Sequence, residues 1–91
     1  MKTIWKFKLE LMTSQTLKMP HAHRILRVST QFPDDDTMFL WAEVEPKTLL
    51  IPVDLRIVGT GHDVPEDHEY VGSCITQGGA FVWHVYVRRQ M

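Results

Sequence analysis

The sequence predicts a small all-β domain, an antiparallel β-sandwich or flattened β-barrel of six to seven strands with little or no helix. Two observations carry this. Apolar side chains recur at every other position in segment after segment: Leu49, Ile51, Val53, Leu55 and Ile57; Trp5, Phe7, Leu9 and Leu11; Phe81, Trp83, Val85 and Val87. A strand sends successive side chains to opposite faces, so each run has one greasy face and one mostly wet one, and no run has the 3.6-residue period of a helix. The connections between runs are also short, which favours antiparallel neighbours, because parallel pairing needs crossovers of a dozen or more residues.

Seven extended segments follow in order. The first covers Thr3 to Leu11 and the second Gln15 to Met19, with Thr13-Ser14 as a tight turn between them and Pro20 ending the second for want of an N–H. The third, Arg24 to Gln31, is rich in branched residues, and Phe32-Pro33-Asp34-Asp35-Asp36 supplies loop chemistry before the fourth, Thr37 to Glu45. Glu45-Pro46-Lys47 turns into the fifth, Thr48 to Val58. Pro52 inside it marks an edge, a bulge or a break, which leaves open two shorter strands, Thr48 to Ile51 and Asp54 to Val58. The stretch Gly59 to His68 has no strand character and leads to the sixth segment, Glu69 to Thr76. Gln77-Gly78-Gly79 is a hairpin turn, since adjacent glycines accept the positive φ of primed turns, and the last strand is Ala80 to Arg88. Helical turns are confined to Pro65–His68 and the residues after Pro33. Strands this numerous must close or stack to cover their apolar faces.

Size and composition set the limits. Ninety-one residues make a single domain, 1–91, and a chain of this size buries only roughly 60–65% of its unfolded surface. Ten basic against eleven acidic residues leave a net charge of −1, a balance that argues against a nucleic-acid partner. The one cysteine, Cys74, cannot form an internal disulfide, so a reducing cytoplasm is the expected location and a small buried hydrophobe its expected role. Lys6, Lys8 and Glu10 interrupt any apolar run at the start, so neither a signal peptide nor a membrane partner is expected.

Met1-Lys2-Thr3-Ile4-Trp5-Lys6-Phe7 and Met19-Pro20, then Phe39-Leu40-Trp41-Ala42, Gly59-Thr60-Gly61-His62, Pro65, Tyr70-Val71-Gly72, Gly79 and Val82-Trp83-His84-Val85-Tyr86, form an ordered set of short motifs. In them the chain resembles, over nearly its whole length, a family of small phage and prophage proteins. The resemblance carries no activity, substrate or catalytic residue. It implies a phage or prophage source, a bacterial cytoplasm, and the host-modulating or counter-defence roles common among such proteins. Val87-Arg88-Arg89-Gln90-Met91 runs past the point where those proteins are expected to stop.

Four groupings could carry chemistry. In Gly59-Thr60-Gly61-His62 the glycines let backbone N–H groups approach an anion, with His62 as a donor. The bland reading gives the glycines to a turn, and the lysine-serine pair of a phosphate loop is missing. His21 and His23, with His62, His68 and His84 and the carboxylates of Asp63, Glu66, Asp67 or Glu69, are the residue types of an open zinc or iron site, against a default of solvated loop histidines. His84 lies opposite in parity to Phe81, Trp83, Val85 and Val87, between Val82 and Tyr86, as a hydrogen-bonded residue of a central strand or an interface. Met38, Leu40, Ala42 and Val44 share one parity and Phe39 and Trp41 the other, so this strand is apolar on both faces, which points to a partner. Ser14, Ser29, Ser73 and Cys74 lack a nucleophile motif, and Asp34-Asp35-Asp36 lacks the glycine and distal glutamate of a calcium loop.

The resulting expectation is a non-catalytic binding module without a cofactor, self-associating, engaging a host protein or a small anionic ligand. The expected ligand residues are Arg56, Gly59, Thr60, Gly61 and His62, with Arg24 and Arg27 as further charge partners for a nucleotide-like anion. The expected interaction surface is Phe39, Trp41, His84 and Tyr86. The competing expectation is a metal-assisted hydrolase using His21, His23, His62 and Glu66.

Overall fold

The computed structural model describes residues 1–32 and 35–88. Pro33 and Asp34 of the acidic loop and Arg89–Met91 of the carboxyl extension lie outside the described residues. Seven strands follow in chain order: β1 Thr3–Leu9, β2 Ser14–Pro20, β3 His23–Thr30, β4 Met38–Val44, β5 Leu50–Gly59, β6 His68–Thr76 and β7 Phe81–Arg88. They form two antiparallel sheets, a three-stranded one in the order β1-β4-β3 and a four-stranded one in the order β2-β5-β7-β6. The architecture is therefore the sandwich of the two expected alternatives, with neither sheet closed into a barrel.

The alternation holds within the strands, while Leu11, Leu49 and Phe81 at the ends of the predicted runs are exposed. Leu9, Val28, Met38, Leu40, Ala42 and Val44 from the first sheet meet Met19, Val53, Leu55, Ile57, Cys74, Val85 and Val87 from the second in one buried core. The molecule is only 16 Å thick along its shortest axis, so the core is a single interdigitated layer. Everything of the other parity faces outward, and two separate outward faces result.

Short connections do not always mean paired neighbours here. β1 and β2 lie in different sheets. The link between them is a crossing rather than a hairpin, held by the Gln15 side chain, which accepts from the Glu10 N–H at 3.0 Å and donates to the Glu10 carbonyl at 2.7 Å. The Ile57 N–H donates to the Thr13 carbonyl at 3.0 Å and fixes the link to β5. The expected Gln77–Gly79 turn does join β6 to β7. It is a 3-10 turn with φ of 65° at Gly78 and 99° at Gly79, positive values that glycine adopts without strain.

Pro52 neither breaks nor bulges its strand. β5 runs unbroken past it, opposite Lys18 of β2, while the pairing of β5 with β7 starts only at Leu55. At Pro52 the strand is thus a local edge, where a missing N–H costs no ladder bond on the open side. β3 and β6 carry bulges at Leu26 and Val71. Near these bulges the two sheets come closest. A Cβ on Gly72 would sit 3.1 Å from Val28 Cβ, so a side chain there would have to push Val28 back by a few tenths of an ångström.

Candidate functional site

The outward face of the three-stranded sheet is built around β4. Its buried residues alternate with Phe39, Trp41 and Glu43, which point away from the core. The register sets a cation beside each ring. Lys8 and Ser29 flank Phe39, Lys6 and Arg27 flank Trp41, and Ile4 and Arg24 flank Glu43. Lys6 Nζ lies 4.7 Å from the centre of the Phe39 ring, a cation–π contact, and donates to Gln31 Oε1 at 3.0 Å. Phe32 meets Phe39 edge-on at 6.2 Å, and Phe39 and Trp41 lie 5.9 Å apart, so three rings form a row.

Charge gathers on the same face. Lys2, Lys6, Lys8, Arg24 and Arg27 are five of the ten basic residues of the chain. Glu43 reaches Lys2 and Arg24 at 3.6 Å each, and Glu10 reaches Lys8 at 3.9 Å. Exposed pairs of this kind are individually weak, typically up to about 1 kcal/mol. Among the described residues Lys6 and Arg27, the two cations beside Trp41, make no ion pair within 4 Å.

The outward face of the four-stranded sheet is wired differently. Arg56 lies across from Tyr86, which lies across from Tyr70, and Val58 across from His84, which lies across from Ser73. Both nitrogens of the His84 ring are engaged: Nε2 with Thr60 Oγ1 at 2.8 Å and Nδ1 with the Tyr70 hydroxyl at 3.1 Å. A neutral imidazole has one donor and one acceptor nitrogen, and both are used here. The Tyr70 ring packs edge-on against Tyr86 at 5.2 Å. On the same face Asp54 accepts from Thr16 at 2.9 Å.

The expected site residues are thus brought together in part and otherwise separated. Phe39 and Trp41 lie on one outward face and His84 and Tyr86 on the other, so they make two surfaces rather than one. Arg24 and Arg27 join Phe39 and Trp41, whereas Arg56 and Thr60 join His84 and Tyr86. In Gly59–His62 the His62 N–H closes a turn onto the Gly59 carbonyl at 3.1 Å, with φ of 92° at Gly61. One amide of the expected anion cradle is therefore spent on the turn, and Thr60 turns its hydroxyl to His84. The His62 ring sits beside Gly59 and Trp83, where a shallow cavity of about 270 Å³ is lined by Gly59, Thr60, Phe81 and Trp83. The metal set is not assembled: His21 and His23 stand at the β2–β3 turn, where the His23 ring bonds the Pro20 carbonyl at 2.8 Å, and His62 stands in the turn after β5. Among the described residues no three His, Cys, Asp or Glu side chains converge to hold a metal ion.

Two bulges explain what alternation could not foresee. Arg24 and Arg27 differ in parity, and a regular strand would send them to opposite faces. The bulge at Leu26 puts both beside β4's outward residues. Tyr70 and Ser73 share one face for the same reason, through the bulge at Val71. Lys6 and Lys8 were visible as one parity of β1, but nothing in the sequence says that β1 pairs with β4.

Among the described residues two groups have displaced acidities. Burial pushes the Cys74 thiol up from its ordinary value of 9.0 to about 11, which keeps it protonated and unreactive. The Asp35 carboxyl is held below its ordinary range by hydrogen bonds from the Thr37 hydroxyl and N–H, 2.6 and 2.8 Å long. Among the described residues no helix is long and apolar enough to cross a membrane.

No curated protein and no solved structure matches the chain. A family does: the domain of unknown function DUF7352 matches residues 1–91, from the first strand of the sandwich to its last, and the chain belongs to that family.

Proposed function

We propose that the chain is a non-catalytic binding module of phage or prophage origin, working in the bacterial cytoplasm, whose ligand is a small anion carrying a planar ring. The observation that carries this reading is the register of the three-stranded sheet, which places Lys6 and Arg27 on either side of Trp41 and Lys8 beside Phe39. A ring stacks on aromatic side chains while its phosphate is held by the flanking cations. The face is a shallow sheet surface without a paired acid and base or an activated nucleophile, and it is suited to holding a ligand rather than transforming it. In a phage setting, capture of such a ligand from the host fits a counter-defence role.

The test is titration of the protein with adenosine monophosphate, followed by calorimetry. Binding that is lost in Trp41→Ala and weakened in Arg27→Gln supports the reading. Absence of binding to the unaltered protein at millimolar nucleotide contradicts it.

Self-association is a second reading, favoured by the exposure of Ile75 (60%) and Tyr70 (49%) beside Val82 and Tyr86 on the other sheet. A host protein is the alternative occupant of that surface. Solution mass at micromolar concentration decides for or against a second copy, and a strict monomer contradicts it.

A further inference from the structure

We infer that the outward face of the three-stranded sheet takes a short single-stranded nucleic acid, several nucleotides at once, rather than one isolated nucleotide. The inference rests on the reading of that face as an anion-and-ring site and extends it.

Three observations lead there. First, the face offers a row of rings. Phe32, Phe39 and Trp41 follow one another at 6.2 and 5.9 Å, a spacing wider than the roughly 3.4 Å rise per nucleotide in one strand of a duplex. The rings are turned by 78° and 50° to one another and Lys6 Nζ sits over Phe39, so bases still stacked on one another cannot match that row, whereas a drawn-out strand, its bases turning independently and its phosphate drawing Lys6 off Phe39, can. Second, cations border the row along both sides, Lys6 and Lys8 on β1 with Lys2 just before it, and Arg24 and Arg27 on β3. A phosphate chain along the β1 border meets Lys6 and Lys8, about 6.8 Å apart on an antiparallel strand, with Ile4 separating them from Lys2; along β3 it meets Arg24 and Arg27 across the bulge. Third, the carboxylates beside them are already engaged at the ends of the face, Glu43 shared by Lys2 and Arg24 and Glu10 beside Lys8, which leaves Lys6 and Arg27 without an ion pair among the described residues.

The net charge of −1 argues against such a partner as a whole-chain sum, but a phosphate chain responds to the local field, and five of the ten basic residues stand on this face. The other outward face has a comparable set of rings, but it ties them together through His84 and sets Asp54 among its cations. A duplex fits the basic face poorly, since its bases expose edges rather than faces and no helix or ribbon stands proud to enter a groove.

Fluorescence anisotropy with labelled eight-nucleotide oligo(dT) and oligo(U), read beside the adenosine monophosphate titration, tests the proposal. The expected result is that an octamer of either sugar binds at least about tenfold more tightly than the mononucleotide and more tightly than a duplex of equal length. Trp41→Ala weakens octamer binding by about 5- to 150-fold, the range of one base–aromatic stack. Trp41→Phe, which keeps a ring, restores most of it and guards against a folding artefact. Lys6→Gln with Arg27→Gln lowers the salt slope by about 1.4, some 0.7 for each phosphate no longer neutralised. Lys18→Gln, on the opposite face, changes nothing.

An octamer that binds no better than adenosine monophosphate overturns the inference and leaves the single-ligand reading standing. Binding of inorganic polyphosphate as tight as that of the octamer, or octamer binding indifferent to Trp41→Ala, overturns the stacking platform. If neither the mononucleotide nor the octamer binds, both readings fall.

Discussion

The two outward faces of the sandwich use similar side chains to opposite ends. On the four-stranded sheet, Tyr70, His84 and Thr60 satisfy one another's polar atoms, and Asp54 is held by Thr16. On the three-stranded sheet, among the described residues, the Trp41 indole N–H has no hydrogen-bond partner, Phe39 meets no polar group but the Lys6 ammonium, and Lys6 and Arg27 have no acid within 4 Å. The ring network of the first face is closed on itself and that of the second is open, although on the first face Arg56 and Lys18 likewise make no ion pair within 4 Å among the described residues. The presence of aromatic and charged residues on a β-surface therefore does not mark a binding site; what marks it is whether their hydrogen-bonding and charge needs are met within the fold.

Mutations that separate the core parity from the outward parity should give the largest effect. Leu40 is fully buried and Trp41, its neighbour, faces outward. Leu40→Ala is expected to cost about 2–5 kcal/mol in chemical denaturation, while Trp41→Ala costs less and removes ligand binding instead. Equal destabilisation by the two would erase the distinction between the strand's faces. Next comes the seam between the sheets. Gly72→Ala drives a methyl toward Val28 and is expected to lower stability by about 1–3 kcal/mol; a neutral result would show that β3 and β6 stand further apart than this geometry requires.

The closed face gives a smaller signal. Tyr70→Phe removes the hydroxyl bonded to His84 and should cost about 0.5–1.5 kcal/mol without changing affinity for nucleotide. A change in affinity with unchanged stability would reverse the assignment of the two faces. The alkaline response of Cys74 is absent at neutral pH and appears only above about pH 9. Its folded-state value of about 11 lies above the ordinary 9.0, so the unfolded chain loses its proton first as pH rises. Stability from this source is complete below about pH 9 and declines between about 9 and 11. Cys74→Ala should remove that part of the decline, and an unchanged slope would show that the thiol is not responsible.

The legible part of this molecule was its parity. Alternation put Val53, Leu55 and Val85 on greasy faces, while for Leu40 it left the inward side open because Phe39 and Trp41 are apolar on the other parity, and Gln77-Gly78-Gly79 announced its turn through residues that tolerate positive φ. Strand order was not legible, because side-chain alternation says which face a residue takes and nothing about its neighbour across the ladder. For that reason β1 could not be placed beside β4, and the Lys6–Trp41 and Lys8–Phe39 pairs stayed hidden. The bulge at Leu26 was also invisible, since an inserted residue leaves composition unchanged while reversing the face of all that follows. Gly59–His62 misdirected for the converse reason: glycines serve a turn and an anion cradle equally well, and only the His62-to-Gly59 bond tells them apart.

Amide chemical-shift mapping during titration with the unlabelled oligo(dT) octamer tests the central assignment most directly. Shifts confined to Lys6, Lys8, Arg27, Phe39 and Trp41 and their immediate neighbours are the predicted result. Shifts centred on Arg56, His84 and Tyr86, with the three-stranded sheet silent, would contradict it.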